Sequence, residues 1–192
     1  MILYSSPGEI VREIEMTEQY ITVEYDETIK TIGVVSDTHV PSRARFLPPE
    51  LFRALDGADL ILHCGDLVKA EIIVELEAIA PVEAVGGNMD PPELKNKLGR
   101  LKLLRIGEIT IGMLHGDVTG RQVLFKQVSS LFAPRKLQAI VFGHIHEPVN
   151  REYDGILFFN PGSAVDPRHG FSPSCGLLSI TGKKISGRII FF

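Results

Sequence analysis

Seven residues of types that bind divalent metal ions follow apolar segments at five places along the chain. Each lies within four residues of the end of an apolar run, where a strand is predicted to end. They are Asp37, His39, Asp66, Asn88, His115, His144 and His146. Carboxylate and amide oxygens combined with imidazole nitrogens suit first-row divalent ions such as Mn, Fe, Co, Ni or Zn. These residue types predict a metal centre if the fold brings the five places together.

The number of donors favours two ions over one. A single ion uses about four to six donors, and seven exceed that number once water or substrate is included. Two ions that share a bridging carboxylate are the simplest arrangement. With Asp37, Asp66 and a bridging hydroxide as the anionic groups and with neutral histidines, such a centre carries a net charge of about +1. It therefore favours an anionic substrate, and two ions about 3.5–4 Å apart suit in-line displacement at phosphorus.

The segments between these donors are predicted to be alternating strands and helices from residue 30 onward. The predicted strands are 31–35, 59–63, 82–85, 101–106, 109–114 and 138–142, and the predicted helices are 49–55, 70–80, 92–98 and 121–132. After residue 147 the pattern becomes all-β, with strands at 148–153, 156–159, 176–181 and 184–192. The fold class is therefore α/β. Ligand sites of open α/β sheets form at the carboxyl ends of the strands, so we expect the seven donors to converge.

The first 29 residues differ in composition from the remainder. Residues 1–30 contain seven acidic and two basic residues, while the rest of the chain carries a net charge of +1. Two β-forming segments there predict an acidic β-hairpin. We predict an N-terminal β extension over residues 1–29 and a main domain over residues 30–192. The hairpin is expected to form an extra sheet edge or a subunit contact in a homo-oligomer.

Composition excludes several classes of protein. The 192 residues are 44% apolar and 23% charged, which is typical of a globular domain. The two cysteines, Cys64 and Cys175, are too few for a disulfide scaffold or a four-cysteine zinc site. No apolar run approaches the roughly 20 residues of a membrane span, and the N-terminus lacks the pattern of a signal peptide, so we expect a cytoplasmic protein. The net charge of −4 without a basic stripe argues against long nucleic acid as a partner.

The order of these motifs resembles that of the calcineurin-like metallophosphoesterases. The motifs are D-x-H at 37–39, G-D at 65–66, G-N at 87–88, H-G at 115–116 and G-H-x-H at 143–146. The resemblance covers roughly residues 30–190. The segments Asn160-Pro161-Gly162-Ser163 and Pro167-Arg168 are similar to the small single-domain phosphodiesterases of bacteria and archaea. The family implies a four-layer α-β-β-α sandwich with a dimetal site at one rim, here with an extra N-terminal β-hairpin.

The resemblance also implies roles for individual residues. It assigns Asp37, His39 and His146 to one ion, Asn88, His115 and His144 to the other, and Asp66 to both as a bridge. Asp66, Asn88 and His39 are also the candidate catalytic residues. A metal-bound hydroxide is the implied nucleophile, since bound metal lowers the pKa of water towards ~7. Arg43 and Arg168 are candidates for holding phosphate oxygens. The implied function is dimetal-dependent hydrolysis of a small phosphodiester, with Mn as the first choice of metal and Ni, Co, Fe or Zn as alternatives.

Two features leave alternatives to this interpretation. Met89 stands where many superfamily members have a histidine that protonates the leaving group, so the substrate class stays open and acidic leaving groups are favoured. The segment His39–Arg43 with Leu47-Pro48 also resembles the scaffold subunit of the retromer sorting complex, which makes a non-catalytic protein-binding scaffold the alternative. A scaffold would be expected to lose ligand residues, and all seven are present. A metal-dependent nuclease is a third option, although nucleases of this superfamily usually carry extra domains.

Overall fold

The computed structural model describes residues 13–16, 20–117 and 125–192, and these contain twelve strands and four helices. The strands are β1 Glu13–Met16, β2 Ile21–Tyr25, β3 Thr31–Val35, β4 Leu60–His63, β5 Val82–Ala84, β6 Leu101–Ile106, β7 Ile109–Leu114, β8 Ala139–Val141, β9 Pro148–Tyr153, β10 Ile156–Pro161, β11 Ser174–Thr181 and β12 Lys184–Phe191. The helices are α1 Pro49–Leu55, α2 Glu71–Glu77, α3 Pro92–Leu98 and α4 Phe125–Ser130. The first four residues of the predicted helix 121–132, and most of the N-terminal extension, lie outside the described residues.

The strands form two sheets that pack face to face. One has seven strands in the order β1-β2-β6-β7-β8-β10-β9, and the other has five in the order β12-β11-β3-β4-β5. β3, β4 and β5 are parallel to one another, as are β7 and β8. Each parallel set therefore presents its carboxyl ends at one edge of its sheet, where the seven predicted ligands follow.

Apolar residues on the two faces of each sheet produce a four-layer arrangement. Val34 of β3 and Leu62 of β4 face the other sheet and belong to one core cluster with Ile111 of β7. On the opposite face, Val35 and Ile61 pack with the buried residues of α1, α2 and α3. A third cluster joins α4 to the outer face of the seven-stranded sheet. The predicted α-β-β-α sandwich is confirmed, because alternate residues of one strand are buried against different layers.

The N-terminal hairpin extends the larger sheet. β1 pairs with β2 in antiparallel fashion, and β2 pairs in parallel with β6. Val23 and Tyr25 of β2 are buried in the cluster between the sheets. The Tyr25 hydroxyl donates a hydrogen bond of 2.8 Å to Glu83 of β5, and Lys102 of β6 donates one of 2.7 Å to the same carboxylate. This buried triad links the two sheets, so β2 is part of the packed fold.

Predicted and observed elements differ by a few residues at the ends of several strands and of α2. α2 is shorter at both ends than the predicted 70–80, and α1 and α3 begin at the prolines that the sequence places in their first turn. Among the described residues, no helix has the length and apolarity that a transmembrane span requires.

Candidate metal centre

The loops after five strands bring the predicted metal ligands to one rim of the sandwich. Asp37 and His39 follow β3, Asp66 follows β4 and Asn88 follows β5 in the smaller sheet. The other three, His115, His144 and His146, follow β7 and β8 of the larger sheet. Because the two sheets pack face to face, the loops of both sheets meet above the core. The convergence that the sequence predicted is present.

Two groups of acidic and histidine residues have their ligand atoms close enough to share an ion. Asp37, His39 and His146 form one group, and Asp37, Asp66 and His115 form the other, with the ligand atoms of each group within 4.8 Å of one another. All five residues are buried. The two groups overlap at Asp37, so the donors form one continuous centre.

Asp66 lies between the histidines of the two predicted ligand groups. Its Oδ2 atom is 3.6 Å from His39 Nε2 and 3.3 Å from His115 Nε2. Its Oδ1 atom accepts a hydrogen bond of 2.7 Å from the Met89 backbone N–H. That bond fixes the orientation of the carboxylate and leaves Oδ2 facing the two imidazoles.

Asn88 joins the remaining two histidines to this centre. Its Oδ1 atom is 3.1 Å from His115 Nε2 and 3.1 Å from His144 Nδ1. The rings of these two histidines meet nearly edge to face, with centroids 5.2 Å apart. The donors predicted for the second ion therefore lie together.

Backbone carbonyls set which nitrogen two of the histidines present. His115 Nδ1 lies 2.7 Å from the carbonyl oxygen of Cys64, and His146 Nδ1 lies 2.5 Å from that of Asp166. A carbonyl can only accept, so both Nδ1 atoms carry the proton. In the neutral rings Nε2 then has a free lone pair, and in both residues Nε2 faces the carboxylates.

The loops reach this arrangement through an uncommon backbone conformation. Five of the seven predicted ligands have positive φ angles, which places them in the left-handed region: Asp37 at 53°, His39 at 44°, Asp66 at 59°, His144 at 73° and His146 at 58°. Asp and His tolerate this region better than most residues that carry a Cβ. Such conformations persist only where the surrounding structure enforces them, and they concentrate at functional sites.

Two glycines allow the loops to approach one another. A Cβ atom at Gly87 would collide with the carboxylate and backbone nitrogen of Asp66, and one at Gly143 would collide with the Ser36 hydroxyl. The Ser36 hydroxyl and the His144 backbone N–H both donate to Asp37 Oδ2, at 2.5 and 2.9 Å. The close approach thus allows the β8 loop to hold a carboxylate of the β3 loop.

The charges of the carboxylates and imidazoles shift one another's pKa values. Burial alone would lower the pKa of His115, but the hydrogen bond to Asp66 and the charges of Asp37 and Asp66 outweigh it and raise this pKa to about 9. Burial lowers the pKa of His39 and of His144. Burial would raise the pKa of Asp37, but contacts with His146 and His115 hold it well below the ordinary range. The centre therefore carries ionised carboxylates that attract cations.

The donor set fits divalent metal ions. Asp37 Oδ1 is buried and accepts no well-aligned hydrogen bond from residues 13–16, 20–117 or 125–192, although it lies 3.2 Å from His146 Nε2. A buried carboxylate oxygen without a donor is costly unless a cation satisfies it. The Nε2 atoms of His146, His39 and His115 lie within 4.0 Å of that oxygen, and each can bind a cation once its ring is neutral. Residue types, protonation and burial all suit borderline divalent ions.

A cavity of about 300 Å³ opens over the centre. Besides predicted ligand residues, its lining contains Ser42, Arg43, Met89 and Arg168. The structure thus places both predicted phosphate-binding arginines at this cavity, where their side chains are 61% and 49% exposed. Met89 is 55% exposed, so its thioether is available to a bound molecule.

Asp166 is a residue of this region that the sequence did not single out. Its carboxylate lies 3.7 Å from Arg43 Nε and 4.0 Å from Arg168 Nη2, and its carbonyl accepts the His146 proton. It sits between Ser163 and Arg168, both of which the motifs did mark. Ser163 donates from Oγ to the Asp37 carbonyl at 2.7 Å. An aspartate inside a marked loop is the signal that could have identified Asp166.

Comparisons with known proteins give a consistent result. Residues 31–183 match the model of the calcineurin-like phosphoesterase superfamily domain. A probable metallophosphoesterase of Methanothermobacter thermautotrophicus is 40% identical over 159 residues, which cover 83% of this chain and 91% of that protein. The phosphodiesterase YfcE of Escherichia coli K12 is 30% identical over 173 residues, which cover 74% of this chain and 84% of that protein.

A solved structure resembles the fold. Vacuolar protein sorting 29 from Cryptosporidium parvum superimposes with a TM-score of 0.68, covering 85% of this chain and 97% of that one, at 23% identity. At this level of identity the likeness concerns the fold alone.

Proposed function

The chain belongs to the calcineurin-like phosphoesterase superfamily, and from that premise we propose that it is a metal-dependent phosphodiesterase acting on a small phosphodiester. The observation that carries this proposal is the position of Asp66. Its Oδ2 atom lies 3.6 Å from Nε2 of His39 and 3.3 Å from Nε2 of His115, and these two histidines are predicted to bind different ions. A carboxylate so placed can contact two ions at once, as a dimetal site requires.

Seven residues would hold the two ions. Asp37, His39 and His146 would bind one, Asn88, His115 and His144 the other, and Asp66 both. When bound, the two divalent ions supply Lewis acidity that lowers the pKa of water and offsets the charge developing on the phosphate. Mn is our first choice, with Ni, Co, Fe or Zn as alternatives, because this donor set accepts all of them.

The chain's own groups orient these ligands and the substrate. The carbonyls of Cys64 and Asp166 keep the Nδ1 protons of His115 and His146, so that Nε2 of each ring is presented to the centre. Arg43 and Arg168, at the cavity rim, would donate hydrogen bonds to phosphate oxygens. Arg43 and Arg168 carry two positive charges beside the single negative charge of Asp166, so this part of the rim has a net positive charge that favours an anion.

Met89 bears on the class of substrate. Its side chain lines the cavity and has no proton to donate to a departing alkoxide. A leaving group that departs as a stable anion needs no such donor. Aryl and other acidic diesters are therefore our proposed substrates, in preference to alkyl monoesters.

A non-catalytic scaffold is the second candidate. The observation that favours it is the segment His39–Arg43 with Leu47-Pro48, which resembles a protein-binding scaffold of the same superfamily. The oriented imidazoles, the buried Asp37 oxygen and the complete donor set favour the enzyme.

Hydrolysis of bis(p-nitrophenyl) phosphate by metal-stripped protein, before and after addition of Mn²⁺, tests the proposal. We expect turnover only with metal, and Asp66→Asn should lose at least about 100-fold of it. Asp154→Asn is the matched control, since it makes the same change in an exposed turn where asparagine tolerates positive φ. Metal binding without turnover, with Mn²⁺, Ni²⁺ or Co²⁺, would favour the scaffold.

A further inference from the structure

Asp90 holds together the two loops that carry Asp66 and Asn88. It is 2% exposed, and its carboxylate accepts three backbone hydrogen bonds. Oδ2 accepts from the N–H groups of Asp66 at 3.0 Å and Gly87 at 2.8 Å, and Oδ1 accepts from Val68 at 2.6 Å. The loop after β4 and the loop after β5 are thus joined through one side chain.

The segment that Asp90 holds has a conformation that a free loop would rarely adopt. Asp66 has a φ of 59° and Val68 a φ of 74°. A β-branched residue such as valine is a clear outlier in the left-handed region, so neighbouring contacts must enforce it. The N–H groups of both residues donate to Asp90, and charge-assisted bonds to a buried carboxylate are the strong ones. Asp90 therefore supplies contacts that keep this segment in place.

The same bonds determine where the predicted ligand atoms lie. Asn88 stands between Gly87, held by Asp90, and Met89, whose N–H donates to Asp66 Oδ1. The residues on either side of Asn88 are thus both held by hydrogen bonds, Gly87 to Asp90 and Met89 to Asp66. Asp66 Oδ2 is left to face the histidines. A shift of either loop would move the bridging carboxylate and the Asn88 amide relative to each other.

We propose that Asp90 is a positioning residue that pre-organises Asp66 and Asn88 for the metal pair without contacting either ion. The inference rests on the proposed function, since it presumes that these two residues bind metal. Carboxylates that hydrogen-bond the surroundings of metal ligands commonly govern affinity by about 10–100-fold. We expect a loss of that size when Asp90 can no longer accept all three bonds.

Asp90→Asn is the informative substitution, because the amide has nearly the same shape but only one accepting oxygen. In one orientation of the amide, its NH₂ group would face the N–H of Val68. In the other orientation, it would face the N–H groups of Asp66 and Gly87, so at least one hydrogen bond is lost in either case. The matched control is Asp59→Asn. Asp59 Oδ2 accepts backbone N–H bonds from Lys30 and Thr31 at 2.8 and 2.7 Å, beside the amino end of β4 and away from the centre.

Isothermal titration of the metal-free full-length variants with Mn²⁺ measures the effect without reference to turnover, and thermal melts of the same samples report folding. Asp90→Asn is expected to weaken Mn²⁺ binding by about 10–100-fold, whereas Asp59→Asn binds as the wild type does. Equal affinity in the wild type and a folded Asp90→Asn would overturn the inference. A wild type that binds no metal would instead overturn the proposed function.

Amide hydrogen exchange of the wild type keeps the test decisive if Asp90→Asn does not fold. The amides of Val68 and Gly87 should exchange slowly in the metal-free protein, because their bonds to Asp90 exist before metal arrives. Exchange at the rate of an unstructured loop, with protection appearing only after Mn²⁺ is added, would show that metal and not Asp90 orders this segment.

Discussion

The Nε2 atoms of His39 and His146 lie 3.3 Å apart. Their rings are 5.1 Å apart between centroids and tilted by 31°. His146 keeps its other proton on Nδ1, against the Asp166 carbonyl, so its Nε2 carries a lone pair whenever the ring is neutral. The two Nε2 atoms can share one proton between them, or each can donate its lone pair to a cation. A proton shared between them excludes the cation. Metal and protons therefore compete for this centre.

Metal binding is expected to release protons near neutral pH. Burial lowers the pKa of His115, but the neighbouring Asp66 and Asp37 raise it to about 9, so below that pH the ring holds a proton that metal must displace. Apparent Mn²⁺ affinity should rise between pH 6 and pH 9. Titration calorimetry at pH 7.5 in buffers of different ionisation enthalpy counts the protons released. His115→Gln should reduce the number of protons released. A binding enthalpy that is independent of the buffer would contradict this prediction.

The arginines at the cavity rim should affect substrate binding. Arg43→Ala and Arg168→Ala are each expected to lower kcat/KM for bis(p-nitrophenyl) phosphate by about 10-fold, the lower end for a charge-assisted hydrogen bond at an exposed site. Arg45→Ala is the control, because the Arg45 guanidinium lies 5.2 Å from the Phe46 ring centroid and does not line the cavity. The assignment fails if all three variants behave alike, or if Mn²⁺ affinity changes as much as kcat/KM.

Met89→His should widen the range of leaving groups. The imidazole would stand at the cavity beside the ligands and could protonate an alkoxide that methionine cannot. We expect hydrolysis of an alkyl diester to rise by about 10-fold or more while nitrophenyl diester hydrolysis changes little. Met89→Gln separates proton transfer from polarity, since an amide is polar but does not titrate. An equal response from both variants would argue against a missing proton donor.

The buried Lys102–Glu83 pair should matter for stability. Lys102→Met removes the charge that faces Glu83 at 2.7 Å between the sheets. The buried carboxylate keeps its hydrogen bond from Tyr25 but loses its counter-charge, which costs about 3–5 kcal/mol. Arg105→Met is the matched control, because the side chains of Arg105 and Glu24 are 35% and 41% exposed and such a pair contributes about 1 kcal/mol or less. Urea denaturation of the two variants measures the free energies of unfolding. The double variant Lys102→Met with Glu83→Gln should recover part of the loss.

The positions of the predicted ligands could be inferred because strand ends and polar residues are close in sequence. The pattern at Thr31–Val35 marks a strand, and Asp37 lies two residues beyond it, so order along the chain is enough to place this side chain at a rim. The four layers, in contrast, were implied by the family resemblance and not by periodicity. The structure agrees with them because neighbouring residues such as Val34 and Val35 are buried on opposite faces of the sheet.

Contacts between distant segments were not predictable in this way. Asp90 accepts from backbone N–H groups, and Asp166 accepts from His146 through its own backbone carbonyl. Backbone groups are common to almost all residue types, so these contacts leave no mark in the sequence. The pairing of β2 with β6 joins segments about 80 residues apart, as the register of Val23 with Leu104 shows. Tyr25 of β2 and Lys102 of β6 both contact Glu83 of the other sheet, a meeting of three segments that local patterns do not encode. Positive φ at five predicted ligands likewise follows from the loops that surround them.

The left-handed backbone at the centre limits how this site can change over evolutionary time. An alanine at Asp37 or His39 would lose a ligand and also place a poorly suited residue at a φ of 53° or 44°. Asparagine and glycine accept such angles more readily, so the substitutions that the fold tolerates best keep the turn and remove the carboxylate or the imidazole. A lineage that abandons metal binding should therefore drift first to Asn or Gly at these positions. Its loops would keep their shape after their chemistry had gone.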